Sequence, residues 1–198
     1  MRGTIRFKKK TSWRICSRWP SDGGYRPACN VQFATTLDTL VIVGDDVTNA
    51  GSDGGQMDPM VEQIEEEQGV FPEEYYTDGG FSTKEDIENV GQRGVEVYTP
   101  VKETEKQQRE GKDPYAPRRG EGPKVTEWRE RMGTAEAKEQ YKQRCKCEWP
   151  NAQCRNRGLW QFTVRGLAKV KAVVMWYVLV HNVLRMVALR AEHAKSMT

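Results

Sequence analysis

No acidic residue precedes Asp22, cysteine is odd in number, and no apolar run reaches the length of a bilayer. Each shortage removes a class of protein. Five cysteines in 198 residues, with no secretory apolar segment before them, do not make a disulfide framework, so a reduced, cytoplasmic chain is expected. Cys145, Cys147 and Cys154 cluster, but their spacing matches no common zinc module and no histidine lies near. The longest apolar stretch, 172–184, is about 13 residues, is interrupted by His181 and Asn182, and falls short of the ~20 that a bilayer core requires. It reads as a buried helix of a soluble domain, with no membrane partner expected and with His181 and Asn182 hydrogen-bonded inside the core.

What is present is charge, and it is divided. Residues 45–110 hold 18 acids against 5 Lys or Arg, whereas 118–171 hold 14 Lys or Arg against 6 acids. Two solvated surfaces that attract each other would explain this. So would an acidic rim facing a basic track for DNA, because phosphate backbones reward clustered cations. Trp128, Trp149 and Trp160 lie in the basic half, as core residues or as platforms for unpaired bases. Hydrophobic content of 37% and a mean hydropathy of -0.78 are low, yet suffice for one domain with a core.

Alternation of Val, Ile, Thr and Phe over 25–35 and 39–48 predicts an antiparallel hairpin. Met57, Met60, Val61 and Ile64 share one face of a helix ended by Gly69. A short strand through Tyr75–Thr77 then reaches Asp78, followed by a helix over 83–92 and a strand over 95–99. Residues 100–133, charged and rich in Pro and Gly, read as a long loop insertion. Helices are expected over 134–157 and 159–190, with a kink or restart where Pro150 removes a donor.

Tyr141, Arg144, Glu148 and Arg155 follow one another at intervals of three, four and seven residues. On a continuous helix they fall within about 60° of one another. A carboxylate flanked by cations on a helix, with a second carboxylate, Asp78, at a strand tip before Gly79 and Gly80, suits divalent-metal phosphoryl transfer. Asp45, Asp46 and Asp53 are lesser candidates.

These residues, with the runs DGGYRPACNVQFAT (22–35), IVGDDVTNAGSDGGQMDPM (42–60), YYTDGGF (75–81), MGTAEAKEQYKQR (132–144) and NAQCRNRGLWQFTVRGL (151–167), resemble DDE transposases of bacterial insertion sequences. The resemblance implies a ribonuclease H-like mixed sheet with flanking helices that cuts and joins DNA with Mg²⁺ or Mn²⁺. It assigns Asp78 and Glu148 as catalytic, metal-binding carboxylates and Tyr141, Arg144, Arg155 and Arg157 as DNA-binding residues. It also implies an N-terminally truncated copy that lacks the first central strand and the aspartate carried there. The expected layout is a non-matching basic segment at 1–19, a partial catalytic domain at 20–190 and a tail at 191–198. Residues 4–7 or 12–16 could fill the vacant strand position, but neither supplies a carboxylate. Expected partners are DNA, a full-length transposase or a second copy. The alternative is a non-catalytic DNA-binding remnant that interferes with a full-length transposase.

Overall fold

The computed structural model describes residues 7–9, 13–15, 29–50 and 52–197. Asp22 and residues 25–28 of the expected first hairpin arm lie outside them. The hairpin forms from β3 (Cys29–Thr36) and β4 (Ile42–Thr48), antiparallel, with Asn30 opposite Thr48 and a register shift at Ala34/Thr35. On the other edge of β3 lie β1 (Phe7–Lys9), opposite 34–36, and β2 (Trp13–Ile15), opposite 29–31. Both are antiparallel to β3 and so continue one another along it. β1 also lies beside β5 (Glu74–Tyr76), which pairs in parallel with β6 (Glu96–Tyr98). Backbone from the N-terminal segment thus lies between β3 and β5. The architecture is mixed α/β.

The first helix, α1 (Met57–Gln68), follows its apolar pattern: Met57, Met60, Val61 and Ile64 are fully buried. Gly69 closes it at φ 72°, its N–H donating to Glu65 O at 2.7 Å. The helix lies so close to β4 that a Cβ on Gly44 would meet Met60 Sδ at 3.0 Å. α2 (Lys84–Gln92) is capped by Thr83, whose hydroxyl accepts from Asp86 N at 3.1 Å. Buried Asp86 accepts in turn from Gly55 N at 2.8 Å, so one carboxylate ties the start of α2 to the approach to α1.

The loop expected over 100–133 is a correction. It contains α3 (Thr104–Arg109) and α4 (Pro123–Gly133), the latter packed on α2 with Val125, Trp128 and Met132 in the core. Pro123 at its first position and the spacing of Val125, Trp128 and Met132 by three and four residues are sufficient helix signals. The Gly and Pro content of the preceding segment obscured them. Trp128 Nε1 donates to Thr99 O at 3.0 Å, which makes this tryptophan a core residue and not a base-stacking platform.

The single helix expected over 134–157 is broken into α5 (Ala135–Tyr141), a 3-10 helix (Lys142–Cys147) and α6 (Glu148–Asn156). Pro150 stands in the first turn of α6, where a missing N–H costs nothing. The last helix, α7 (Leu167–Ser196), starts eight residues later than expected and absorbs most of the 191–198 tail.

The reading of 172–184 as a buried helix is also corrected. Val174 and His181 are buried, whereas Met175, Trp176, Leu179, Val180, Val183 and Leu184 are exposed. Among the described residues, β4, β3 and α6 cover one side of α7. By length and composition alone the helix could cross a bilayer. Its covered side is pinned by polar contacts. His181 Nε2 meets Leu40 O at 2.9 Å, and Asn182 accepts from Ile42 N at 2.9 Å while donating to Ile42 O at 2.8 Å. The Asn182 amide thus pairs with the edge of β4 as a neighbouring strand would. Asn182→Leu, leaving both Ile42 groups unpaired, should cost about 1–3 kcal/mol and lower the melting temperature. An unchanged melting temperature would show that α7 is held by apolar packing alone.

Candidate functional site

The parallel pair β5–β6 sets Asp78. Tyr75 and Tyr76 are fully buried, and pairing extends past the strands through Thr77 N to Tyr98 O at 3.0 Å. The Asp78 carbonyl then accepts from Thr99 Oγ1 and Phe81 N, both at 3.1 Å. Main chain held in this way turns through Gly79 and Gly80 and leaves the Asp78 carboxylate about one-third exposed. Gly80 leaves room for Asp53, whose Oδ2 would lie 3.4 Å from a Cβ there. Asp53 also accepts from Asn30 Nδ2 at 2.5 Å, so it braces this turn against β3.

The helical part of the site comes from three short elements in series. Tyr141, the last residue of α5, packs on the main core and donates its hydroxyl to Thr77 O at 3.2 Å. Burial pushes its pKa up to about 12, with the negative Asp78 adding to the rise and Arg144 opposing it. Tyr141 is therefore a strut beneath Asp78. Arg144, in the 3-10 helix, reaches Asp78 Oδ1 with Nη1 at 2.7 Å and Glu148 Oε1 with Nη2 at 3.5 Å. Its guanidinium also lies 5.9 Å from the Tyr141 ring centroid. Glu148 opens α6, where a carboxylate favours the helix dipole.

The structure thus brings Asp78, Tyr141, Arg144 and Glu148 into one cluster, with the guanidinium between the two carboxylates. Arg155, at the far end of α6, lies 5.6 Å from the ring of exposed Trp160. Exposed Arg157 caps α6, and its carbonyl accepts from Tyr177 at 3.5 Å. Trp149 packs edge-on against His181. Asp45 and Asp46 lie on β4, which β3 and β1 separate from β5. Sequence reasoning missed Thr99, whose hydroxyl donates to Asp78 O, and Thr77, whose N–H pairs with Tyr98 O and whose carbonyl accepts from Tyr141. Their one signal is a threonine following each of two short parallel strands.

A model of the transposase DDE domain family matches residues 4–183. The chain belongs to the transposase DDE domain family. The match includes residues 4–19, which the motifs quoted above leave outside it, and it covers both carboxylates of the cluster. No curated protein matches the chain, and no solved structure matches it. Membership ties the function to DNA transposition and the substrate to DNA.

Divalent ions of the kind this family uses bind carboxylate and water oxygens. Among the described residues no group of three or more His, Cys, Asp or Glu is placed to hold an ion. Arg144 is ion-paired with both carboxylates, so its charge already lies against oxygens that a cation would use. The transposase cluster as it stands does not fit a two-ion centre.

Proposed function

We propose that this chain is a DNA-binding transposase domain of ribonuclease H-like type that does not carry out strand transfer by itself. The observation that carries the reading is the Arg144 guanidinium held between Asp78 and Glu148. It supports an acidic pair neutralised within the chain and not offered to two metal ions. The N-terminal backbone along β3 gives further support: residues 7–9 stand between the hairpin and β5, yet none of them carries a carboxylate. In-line attack on a phosphodiester needs cations on both the attacking and the leaving oxygen. Here Asp78 and Glu148 hold Arg144, and Tyr141 holds the Asp78 turn rigid. DNA contact falls to exposed cations outside the cluster, Arg155 and Arg157 among them. The setting is cytoplasmic, on the nucleoid.

The test is a strand-transfer assay with matched element ends and Mg²⁺ or Mn²⁺. The expected result is no joined product above that given by the Asp78→Asn, Glu148→Gln double variant. Joined product from the unaltered chain that disappears in Asp78→Asn would overturn the reading.

A further inference from the structure

A second cluster of titratable groups stands at the other side of the sheet. β4, α1 and α7 enclose a cleft of about 500 Å³. Its floor is Gln32 on β3, 1% exposed, whose Nε2 and Oε1 both lack a hydrogen-bond partner. An amide buried with neither group paired costs about 1–3 kcal/mol for each group, so its retention calls for an occupant. Around it stand three carboxylates, Asp45 and Asp46 of β4 and Glu67 of α1, against one cation, Lys171 of α7. Lys171 Nζ lies 2.8 Å from Asp46 Oδ1, so Asp46 already has its counter-ion. Asp45 and Glu67 account for the remaining negative charge, and the sulfur side chains of Met60 and Met175 supply apolar wall.

We propose that this cleft binds a small organic cation, an ammonium or guanidinium group on a short hydrocarbon chain. A bare divalent ion fits poorly. No group of three or more His, Cys, Asp or Glu among the described residues is placed to grip one, and the space is far larger than an ion needs. An alkyl amine matches each wall in turn. Its charge answers Asp45 and Glu67, its hydrocarbon lies on the thioethers, and a terminal N–H donates to Gln32 Oε1.

Burial, then Glu67, then Asp46 raise the Asp45 pKa to about 6, with Lys171 opposing them. Asp45 is therefore charged above about pH 6 and neutral below it. A cationic ligand is held above that value and released as the pH falls through it.

The test is calorimetric titration of the full chain with 1,4-diaminobutane at pH 7.5 and pH 5. One-to-one binding is expected at pH 7.5, about tenfold weaker in Asp45→Asn, the effect of losing one charge-assisted hydrogen bond, and about fivefold weaker at pH 5, where about a tenth of Asp45 remains charged. Gln32→Leu should weaken it similarly. Where Gln32→Leu does not fold, the rim change Glu67→Gln is the second variant, with a loss of severalfold. Glu105→Gln, which removes the same charge from exposed α3, should leave binding unchanged. Three outcomes would overturn the proposal: no binding by about 10 mM, equal loss in Glu105→Gln, or displacement of the diamine by equimolar Mg²⁺.

Discussion

Replacing Arg129 with methionine is expected to lower the unfolding free energy by about 3–5 kcal/mol, the usual cost of leaving one member of a buried ion pair alone. Arg129 and Glu121 are 5% and 2% exposed, and they form a two-pronged pair, Nε to Oε2 and Nη2 to Oε1, each at 2.8 Å. Arg129 Nη1 also donates to Pro114 O at 2.8 Å. These bonds fasten the 110–122 segment to α4, and Lys84 at 3.1 Å fastens it to α2. Removal of Arg129 leaves a buried carboxylate with Lys84 as its remaining cation.

The same pair sets an acid limit. The bonds from Arg129, offset in part by burial and aided by Lys84, hold the Glu121 carboxyl down at about 2, from an ordinary 4.5. A lowered carboxyl pKa contributes stability that is complete above the unfolded value and lost as the pH falls toward the folded one. The contribution, about 3 kcal/mol by linkage, should therefore be present at pH 6 and fade between about pH 4.5 and pH 2. Denaturant titrations of the unaltered chain and of Arg129→Met across this range are the measurement. Equal acid sensitivity in both chains would refute the assignment. The Glu121→Leu, Arg129→Met double change should cost much less than the single one, because two apolar groups leave no unpaired charge.

DNA retention by the unaltered chain should fall with salt on a log–log slope of about -0.9 for each phosphate neutralised. For about four phosphates that is roughly a hundredfold between about 50 and about 200 mM salt. Unrelated duplexes should behave alike, since exposed cations read backbone and not bases. Arg155→Glu with Arg157→Glu should reduce both affinity and slope. Arg144→Met should change neither by much, because its charge is spent on Asp78 and Glu148. A flat salt response, or indifference to the Arg155 and Arg157 changes, would show the basic half to be only a solvated surface.

The elements legible from sequence were those whose pattern is local. The four buried residues of α1 and the glycine that ends it are fixed by helical spacing and by the left-handed φ at Gly69, so neither depends on distant partners. The hairpin, the Tyr75–Thr77 strand and the helix from Lys84 were readable for the same reason. α4 was hidden because Pro and Gly crowd the segment before it, although Pro123 is a helix start. The exposure of α7 was misread because an apolar run states what could be buried and not whether anything arrives to cover it.

The candidate site divides along the same line. Spacing alone proposed that Arg144 and Glu148 face one way, a strand-tip position made Asp78 a candidate, and the family resemblance assigned Asp78 and Glu148 as the catalytic pair. A continuous helix, however, would have put Arg155 with them. The 3-10 stretch over Lys142–Cys147 changes the residues per turn and carries Arg144 onto the Asp78 carboxylate, while Arg155 goes to Trp160. The sequence by itself determined the composition of this protein's site, its charge asymmetry and its family, since these reside in residue identities and their order. The tertiary structure alone decided that a guanidinium joins the two carboxylates, that an unpaired amide at Gln32 lies under Asp45 and Glu67, and that Asn182 closes the edge of β4. Each is a contact across 4 to 140 residues whose energy depends on distance and burial, and neither quantity is written in the order of the chain.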